Sequence, residues 1–357
     1  MKNICFLCGD ITRGGGTEKV TEILSRELSK KHNVFVLSLN KGNEKLFFNF
    51  SSAVHLNFIN EGVFKNKYLQ IIQQAYLINS YCRENQISTL INVDVVLFAY
   101  SFLTKLLNPK LNLISWEQFC IKNDLGFKKS LFLRKIALRY SDYYVCLTKS
   151  DVLEIKKNMR VKSNLISIYN PFLFSGKVDY DNRKKIIVTV GNFFSVKGFD
   201  LAVLAAEKVF ARNPEWKWYF CGDGLEFEKI RMLIREKKLE NKIVLTGRLK
   251  NVSDILNEAS IYVMTSRSEG FGMVLLEAKA ASLPVIAFDV PYGPREIIND
   301  KINGYLIKPF EINVMAEAIN NLIEDKELRY EFANQSCSNM QQFDISETIK
   351  KWNEIIK

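Results

Sequence analysis

A short apolar strand, a glycine turn and an amphipathic helix follow one another in each half of this chain. The first half opens with the strand KNICFLCG, the loop DITRGGGT and the helix EKVTEILSRELSKKH, whose apolar residues recur with a period of 3.6. Further strands are predicted in NVFVLSLN, ISTLINVD, NLISWEQ and YYVCLTKS. Such alternation is typical of parallel sheets covered by helices, so the pattern predicts an α/β fold.

The same order restarts after a polar stretch. The segment YNPFLFSGKVDYDNRKK has the composition of a linker. It is followed by predicted strands in KIIVTVGNF, WKWYFCGDG, KIVLTGRL, IYVMTS and PVIAFD, with a helix in FDLAVLAAEKVF. We therefore expect one doubly wound domain over residues 1–172, a linker over 173–184 and a second doubly wound domain over 185–343, with a final helix at 344–357 packing back on the first. Two such domains predict a ligand site in a cleft between them.

Length and composition exclude several classes of protein. The 357 residues suffice for two cores. The apolar runs are shorter than the roughly 18–20 residues that cross a bilayer, and the first residues lack a secretory signal pattern, so we expect a cytoplasmic protein. Cys5 and Cys8 form a CxxC inside a predicted strand, but no second pair completes a zinc site. We interpret the seven cysteines as buried thiols.

The net charge of +11 predicts a polyanionic partner or, alternatively, reflects only solubility and base composition. The segment GFKKSLFLRKIALRYSD (126–142) is predicted as a helix with a basic face beside an apolar stripe. The basic face comprises Lys128, Lys129, Arg134, Lys135 and Arg139, and the apolar stripe comprises Phe127, Leu131, Phe132, Ile136 and Leu138. As a helix it would either lie on an anionic membrane surface or pack on the sheet with its basic side in water. We expect no nucleic acid partner, because the chain carries no zinc finger, helix-turn-helix spacing or RNA-binding aromatic pattern.

The run SRSEGFGMVLLEAKAASLPVIAF holds two carboxylates, Glu269 and Glu277, on either side of a Gly-Phe-Gly turn and a helix start. The first N–H groups of a helix lack intrahelical acceptors, so those of Gly272, Met273 and Val274 can bind an anion. Two acids flanking an anion site match a molecule with phosphate in its middle and hydroxyls at both ends. The run therefore predicts a nucleotide-sugar site; the alternative is a capping acid and a surface acid.

Lys197 precedes Gly198 and a predicted helix. An ammonium beside a helix N-terminus suits a diphosphate, although an ordinary surface lysine is the alternative.

These residues form part of a wider resemblance. The segments VGNFFSVKGFDLAVLAAEKV (190–209), YFCGDGLE (219–226), VLTGRL (244–249), TSRSEGFGMVLLEAKAASLPVIAFDVPYGPREII (265–298) and NGYLI (303–307) have the order and spacing of the retaining GT4-family glycosyltransferases. GGGTEKV (14–20) is similar to the family's glycine loop, and matching is weak between about 40 and 110. The resemblance implies the GT-B fold, in which two Rossmann-like domains face each other across a cleft.

The resemblance also implies an activity, namely transfer of a hexose or N-acetylhexosamine from a nucleotide-sugar donor, expected to be UDP-linked. The expected acceptor is a hydroxyl of a lipid-linked or cell-surface glycan precursor of the O-antigen, capsule or lipooligosaccharide type. The family requires neither a cofactor nor a metal, so Asp179 and Asp181, which form a DxD in the linker, are interpreted as solvated charge. Two alternatives are a non-catalytic nucleotide-sugar-binding subunit and a nucleotide-sugar epimerase on the same fold.

By the family pattern, Lys197 binds the donor phosphates, Glu277 the ribose and Glu269 the transferred sugar. Arg295 either adds charge near the phosphates or caps a turn. The full set of expected donor-binding residues is Gly15, Gly16, Gly191, Asn192, Lys197, Gly222, Asp223, Arg248, Glu269, Gly270, Phe271, Gly272, Met273, Val274, Glu277 and Arg295.

Two residues depart from the family pattern. Asn192 stands where an arginine is common, and Gln118 stands where many members carry a histidine. Gln118 can donate a hydrogen bond to a sugar but cannot act as a base, whereas Glu117 is either a base or a strand-end acid. The candidate catalytic residues are therefore Glu269, Lys197, Gln118 and Glu117.

Overall fold

A computed structural model describes residues 1–59, 67–119, 128–173, 179–181 and 183–357. The chain divides into two compact units. Unit 1 comprises Met1–Pro171 together with Phe343–Lys357, and unit 2 comprises Phe172–Gln342. Among the described residues no helix has the length and hydropathy that a membrane span requires.

The described part of unit 1 is built around a seven-stranded parallel sheet in the order β3-β2-β1-β4-β5-β6-β7. The strands are β1 Asn3–Asp10, β2 Asn33–Asn40, β3 Val54–Phe58, β4 Thr89–Asn92, β5 Asn112–Trp116, β6 Tyr143–Cys146 and β7 Asn164–Ser167. The helices are α1 Gly16–Leu28, α2 Lys67–Glu84, α3 Phe98–Leu107, α4 Lys128–Tyr140 and α5 Lys149–Asn158, with a 3-10 turn at Val95–Leu97.

Unit 1 is completed by residues from the far end of the chain. The helix Ile345–Ile355, which we label α13 in chain order after the helices of unit 2, packs on β5. The rings of Trp116 and Trp352 lie 5.1 Å apart, edge to face. Asn112 donates its side-chain N–H to the carbonyl of Ile355 at 2.8 Å. Both contacts are buried, so this last helix belongs to the core of unit 1.

The described part of unit 2 holds a six-stranded parallel sheet in the order β10-β9-β8-β11-β12-β13. The strands are β8 Ile186–Val190, β9 Lys217–Cys221, β10 Ile243–Gly247, β11 Ile261–Met264, β12 Val285–Phe288 and β13 Gly304–Ile307. The helices are α6 Phe199–Arg212, α7 Phe227–Glu236, α8 Val252–Glu258, α9 Met273–Ala280, α10 Pro294–Ile297, α11 Ile312–Glu324 and α12 Lys326–Gln335, with 3-10 turns at Ser195–Lys197 and Met340–Phe343.

Strand order in unit 2 determines where a ligand can bind. The chain moves outward from β8 through β9 to β10, and then returns to the other side of β8 with β11, β12 and β13. The order therefore reverses between β8 and β11. In open parallel sheets ligands bind beyond the carboxyl ends of the strands at such a switch point.

The predicted α/β class is confirmed, and every predicted strand overlaps an observed one, although several observed strands end before the predicted segment does. The predicted strand YYVCLTKS ends at Cys146, because Thr148 begins the next helix. The Thr148 hydroxyl accepts a hydrogen bond from the N–H of Asp151 at 2.9 Å, which is the usual way to cap a helix.

Candidate functional site

The carboxyl edge of the unit 2 sheet collects most of the predicted donor residues. Loops leaving five of its six described strands carry them. Because all of these strands are parallel, their carboxyl ends lie along the same edge. The residues concerned are Gly191 and Asn192 after β8, Gly222 and Asp223 after β9, Arg248 after β10, Glu269, Gly270 and Phe271 after β11, and Arg295 after β12.

An ion pair spans the switch point. Lys197, on the loop after β8, places its Nζ 2.8 and 2.9 Å from the two carboxylate oxygens of Glu269, on the loop after β11. Ser266 donates its hydroxyl to the same carboxylate at 2.6 Å. The Glu269 side chain is 7% exposed and that of Lys197 is 31% exposed, so the cation remains partly open to solvent. The two strongest sequence candidates therefore lie in direct contact.

Hydrogen bonds and an ion pair hold the loops after β8 and β11 together. Thr265 donates its hydroxyl to the carbonyl of Gly198 at 2.8 Å. Gly198 has a φ of 66°, and a Cβ there would lie 2.0 Å from the Thr265 carbonyl, so glycine is required at this position. Arg267 donates its N–H to Val196 at 2.7 Å and grips the carboxylate of Asp200 at 2.6 and 2.8 Å. These contacts set the distance between Lys197 and Glu269.

Helix α9 starts at the same edge. Its N-cap, Gly272, has a φ of 92°, a left-handed conformation that favours glycine. Met273, Val274 and Glu277 are half-buried along the outer side of this helix. Burial raises the pKa of the Tyr262 phenol, on β11, well above its usual value, and the charges of Glu269 and Glu277 add to the effect.

Three loop glycines continue the sheet beyond its strands. Gly191 donates its N–H to Cys221, and Gly222 donates its N–H to Gly247, both at 2.9 Å. Gly222 has a φ of 140°, and a Cβ there would lie 1.9 Å from the carbonyl of Gly191. At Gly222 the loops therefore pass too close to one another for a side chain, which leaves backbone groups to line this part of the edge.

Other cations at this edge differ in their surroundings. Arg295 forms a bidentate ion pair with Asp289, on the loop after β12. Its guanidinium is exposed and already neutralised by an acid of the same unit. Arg248 and Asp223 are exposed, and Asn192 is half-buried. Of the expected cations, Lys197 is therefore the one that lies beside Glu269.

The glycine loop belongs to unit 1, where it leads into α1. Gly15 is the N-cap of this helix, and its N–H donates to the carboxylate of Glu18 at 3.0 Å. A Cβ on Gly16 would meet no atom within 4 Å. Gly16 is also exposed, so this loop offers backbone to any approaching group.

Glu117, a candidate base, lies at the carboxyl end of β5 in a sealed cluster. Arg134 on α4 donates to its carboxylate at 2.7 and 3.3 Å, and the Tyr144 hydroxyl donates at 2.9 Å. The Arg134 and Glu117 side chains are 1% and 2% exposed. Burial raises the pKa of the nearby Asp94 to about 7, and the Glu117 charge adds to this. This geometry favours the interpretation of Glu117 as a strand-end acid with a structural role.

Arg134 changes the interpretation of the segment 126–142, of which residues 126–127 lie outside the described residues. The helical pattern assigned Arg134 to a solvated basic face, but the side chain points inward to Glu117. Leu131 and Phe132, expected in the apolar stripe, are exposed. The predicted basic face of this helix is therefore wrong at Arg134, because the buried carboxylate of Glu117, directly after β5, pairs with this arginine.

The Gln118 side chain forms its hydrogen bond with Asn170 rather than with the Glu117 cluster. The Asn170 amide donates to the Gln118 side-chain oxygen at 3.5 Å, a long hydrogen bond. The Gln118 amide nitrogen and the Asn170 amide oxygen have no partner among the described residues. If the N and O atoms of both amides were exchanged, one donor and one acceptor would again lack a hydrogen-bond partner.

Sequence reasoning missed Ser266, Arg267 and Tyr262. Ser266 and Arg267 lie within the SRSEGFG motif, so their proximity to Glu269 was visible, whereas their hydrogen bonds depend on loops joined only in the fold. No group of three or more His, Cys, Asp or Glu side chains that could hold a metal occurs among the described residues.

Known proteins resemble this chain in sequence and in structure. The profile of the family Glycosyl transferases group 1 matches residues 174–337. A Haemophilus influenzae uncharacterized glycosyltransferase is 28% identical and covers 100% of both chains. A Methanocaldococcus jannaschii uncharacterized glycosyltransferase is 31% identical, covering 71% of this chain and 72% of its own. S. aureus TarM, solved as a mutant with fondaparinux, alpha-GlcNAc-glycerol and UDP, has a TM-score of 0.88 at 19% identity and covers 100% of both chains.

Proposed function

The chain belongs to the group 1 glycosyl transferases and has the GT-B fold, and from this premise we propose that it transfers a hexose or N-acetylhexosamine from a UDP-linked donor with retention of configuration. The predicted family resemblance and enzyme class are confirmed by these matches. In this proposal the acceptor is a hydroxyl of a lipid-linked or cell-surface glycan precursor. The Lys197–Glu269 pair at the switch point of unit 2 is the observation that carries it.

The proposed donor lies along the carboxyl edge of unit 2. The uridine half contacts the loops after β9 and β10, whose glycines leave backbone N–H and C=O groups to bind the base. Glu277 accepts hydrogen bonds from the ribose hydroxyls, since a half-buried carboxylate on α9 is well suited to a diol. The complex of S. aureus TarM with UDP supports the choice of this nucleotide.

The diphosphate in this arrangement lies between Lys197 and the start of α9. The N–H groups of Met273 and Val274 begin this helix and point out of its N-terminus. A diphosphate brings more negative charge than Glu269 alone, so it competes for the Lys197 ammonium. Glu269 is then released to accept hydrogen bonds from the sugar, while Ser266 keeps its carboxylate in place.

The proposed chemistry proceeds on one face of the sugar. The bond from the anomeric carbon to the diphosphate oxygen breaks as the acceptor oxygen forms its bond to the same carbon. The acceptor proton passes to the leaving diphosphate, so no protein base is consumed. Lys197 and the α9 N–H groups stabilise the negative charge that develops on the diphosphate. We propose that this set, rather than a metal, supplies the neutralisation, so that transfer continues in EDTA.

Thermal shift against a panel of nucleotides and nucleotide sugars tests the donor, and transfer assays with the stabilising ligands test the reaction. The sharpest comparison is Glu277→Gln against Glu228→Gln, an exposed acid on α7. We expect Glu277→Gln to weaken UDP binding by roughly tenfold or more, because hydrogen bonds to a charged acceptor contribute about 1.5–3 kcal/mol.

The outcomes separate the alternatives. The proposal fails if no nucleotide raises the melting temperature and Glu277→Gln behaves like Glu228→Gln. Binding of UDP-sugars without transfer or hydrolysis would instead identify a nucleotide-sugar-binding subunit. Conversion of one UDP-sugar to another without an acceptor would identify an epimerase.

A further inference from the structure

Helix α2 buries two amides among apolar residues on its inner side, and it exposes large apolar side chains to solvent. Gln74 and Asn79 are 4% and 6% exposed, whereas Leu69, Ile72 and Tyr76 are 53%, 57% and 64% exposed. The exposed residues are spaced i, i+3 and i+7, so they form a single stripe along the helix. Surface helices ordinarily direct polar and charged side chains, not large apolar ones, toward solvent. Single exposed apolar residues are common, but a continuous stripe indicates a surface that something else covers.

The neighbouring helices extend this stripe. The Thr104 hydroxyl donates to the carbonyl of Ala75 at 3.2 Å, which joins α3 to α2. The rings of Phe102 and Tyr140 lie 5.2 Å apart, which joins α3 to α4. The three helices are thus consecutive in one layer. We define its apolar face as the exposed residues Leu69, Ile72, Tyr76, Leu106, Leu107, Leu131 and Phe132.

Charge in this layer is mostly positive. Lys135 and Arg139 are exposed on α4, on the same side as Phe132. Over the described residues from 67 to 140, Glu84 is the one exposed acid, since Glu117 is buried against Arg134 and Asp94 is half-buried. The exposed basic residues of the same ranges include Arg83, Lys110, Lys135 and Arg139.

We propose that the outward side of α2, α3 and α4 docks on an anionic lipid bilayer. Apolar side chains beside lysine and arginine suit the boundary between lipid headgroups and acyl chains, where the chains enter and the cations meet phosphate. A second copy of this chain fits less well, because a basic face placed against itself is repulsive. The inference rests on the proposed function only in giving a lipid-linked acceptor a place to be presented; the docking itself requires no catalysis.

Vesicle flotation of the full chain tests the docking surface. The vesicles are phosphatidylcholine alone and phosphatidylcholine mixed with phosphatidylglycerol. An apolar variant combines Ile72→Ser, Tyr76→Ser and Phe132→Ser, and a charge variant combines Lys135→Glu and Arg139→Glu. The matched controls are Met232→Ser and Lys208→Glu, which change exposed residues on helices of unit 2. Circular dichroism and melting temperature check that each variant folds.

We expect the wild-type protein and both controls to float with the anionic vesicles, and less so as salt rises. The partitioning of the apolar variant into anionic vesicles should fall by about tenfold or more, since it lacks three apolar side chains that would enter the bilayer. The charge variant should lose at least roughly fivefold per residue and most of the salt dependence. UDP binding in the absence of vesicles should be unchanged in all variants, which separates this inference from the donor proposal.

Three results would overturn the inference. The first is equal binding to neutral and anionic vesicles, and the second is an apolar variant that floats like the wild type. The third is a wild-type dimer in sedimentation equilibrium that dissociates in the apolar variant while no vesicle binding is seen. That result would assign the apolar face to a second copy of the chain.

Discussion

Two acid–cation pairs at the carboxyl edges of the two sheets, Arg134–Glu117 in unit 1 and Lys197–Glu269 in unit 2, differ in their access to solvent. In unit 1, Arg134 and Glu117 are 1% and 2% exposed and Tyr144 completes their hydrogen bonds. In unit 2, Lys197 holds both oxygens of Glu269 at similar distances but remains 31% exposed. A sealed pair has its partners inside the protein, whereas an open pair can exchange a partner for a ligand. The comparison therefore assigns structure to the first pair and binding to the second.

Breaking the sealed pair should produce the largest change in stability. We expect Arg134→Met to lower the free energy of unfolding by about 3–5 kcal/mol, because it leaves the buried Glu117 carboxylate without its cation. Urea denaturation measures this. Arg212→Met is the control, since that arginine pairs with Glu317 and Glu324 on the surface, where solvent screens the charges, and its loss should change stability little.

Substituting Glu117, the acid of the sealed pair, distinguishes a structural role from a catalytic one. If Glu117 acted as the base, Glu117→Gln would abolish transfer while leaving stability nearly intact. A structural role predicts the opposite, namely reduced stability and an unchanged pH profile of kcat in the fraction that remains folded.

Breaking the open pair should affect the reaction more than the fold. We expect Lys197→Met to lower kcat by about 100- to 1,000-fold, the usual cost of removing a group that stabilises developing charge. Steady-state kinetics with a UDP-sugar measure this. Lys208→Met, an exposed lysine on α6, should behave like the wild type. A Lys197→Met enzyme within tenfold of the wild type would remove the distinction between the two pairs.

Lys279 extends the comparison to a buried cation that lacks an acid. Its side chain is fully buried on the inner side of α9, and its Nζ has no hydrogen-bond partner among the described residues. Burial lowers the pKa of Lys279 to about 7. The folded state thus loses a proton that the unfolded chain retains between about pH 7 and its ordinary value near 10.4, so wild-type stability should rise with pH across this window.

Replacing Lys279 removes that penalty. We expect Lys279→Met to be more stable than the wild type at pH 7 by a few kcal/mol, at about 1.4 kcal/mol for each unit of the shift. The advantage should shrink as pH rises from 7 toward about 10.4, because the lysine is neutral in both states of the wild type only above the unfolded pKa. Urea denaturation at pH 7 and pH 9.5 measures the difference. An advantage that is the same at both pH values would contradict the assigned cause.

The smallest effect is expected at Ser266, which orients Glu269 without contacting the proposed donor phosphates. Ser266→Ala should lower kcat/KM by roughly fivefold to tenfold, because one hydrogen bond of about 1 kcal/mol to the carboxylate is lost. Ser266→Thr keeps the hydroxyl and should retain more activity. If the alanine and threonine variants have equal kinetics, the hydroxyl does not position Glu269.

Prediction from sequence succeeded where the relevant residues share short segments. The unit 2 strands, the glycine turns and the two glutamates of the SRSEGFG run lie in local patterns, and the parallel sheet then brings their ends together. The roles assigned to these residues stay predictions. Lys197 and Glu269 are 72 residues apart, so no local pattern predicts their contact, and the family resemblance assigned them only to different parts of the same donor.

Prediction failed where burial depends on a partner in another element. A helical pattern counts Arg134 as a surface charge, and only its contact with Glu117, 17 residues earlier, explains why it points inward. Helix α2 is a similar case, because Gln74 and Asn79 are buried among apolar residues of its inner side, whereas residue type alone would assign both amides to solvent. The pairing of Gln118 with Asn170 spans 52 residues and leaves no local pattern.

The packing of α13 on β5 has a consequence for biosynthesis. Unit 2 is continuous in sequence, whereas unit 1 takes its last helix from beyond it. On the ribosome, unit 2 can therefore reach its final topology while Trp116 in unit 1 still lacks the cover of Trp352. The unit translated first is the one finished last. A chain truncated before residue 345 should leave this tryptophan accessible to quenchers and the nascent first unit a client for chaperones.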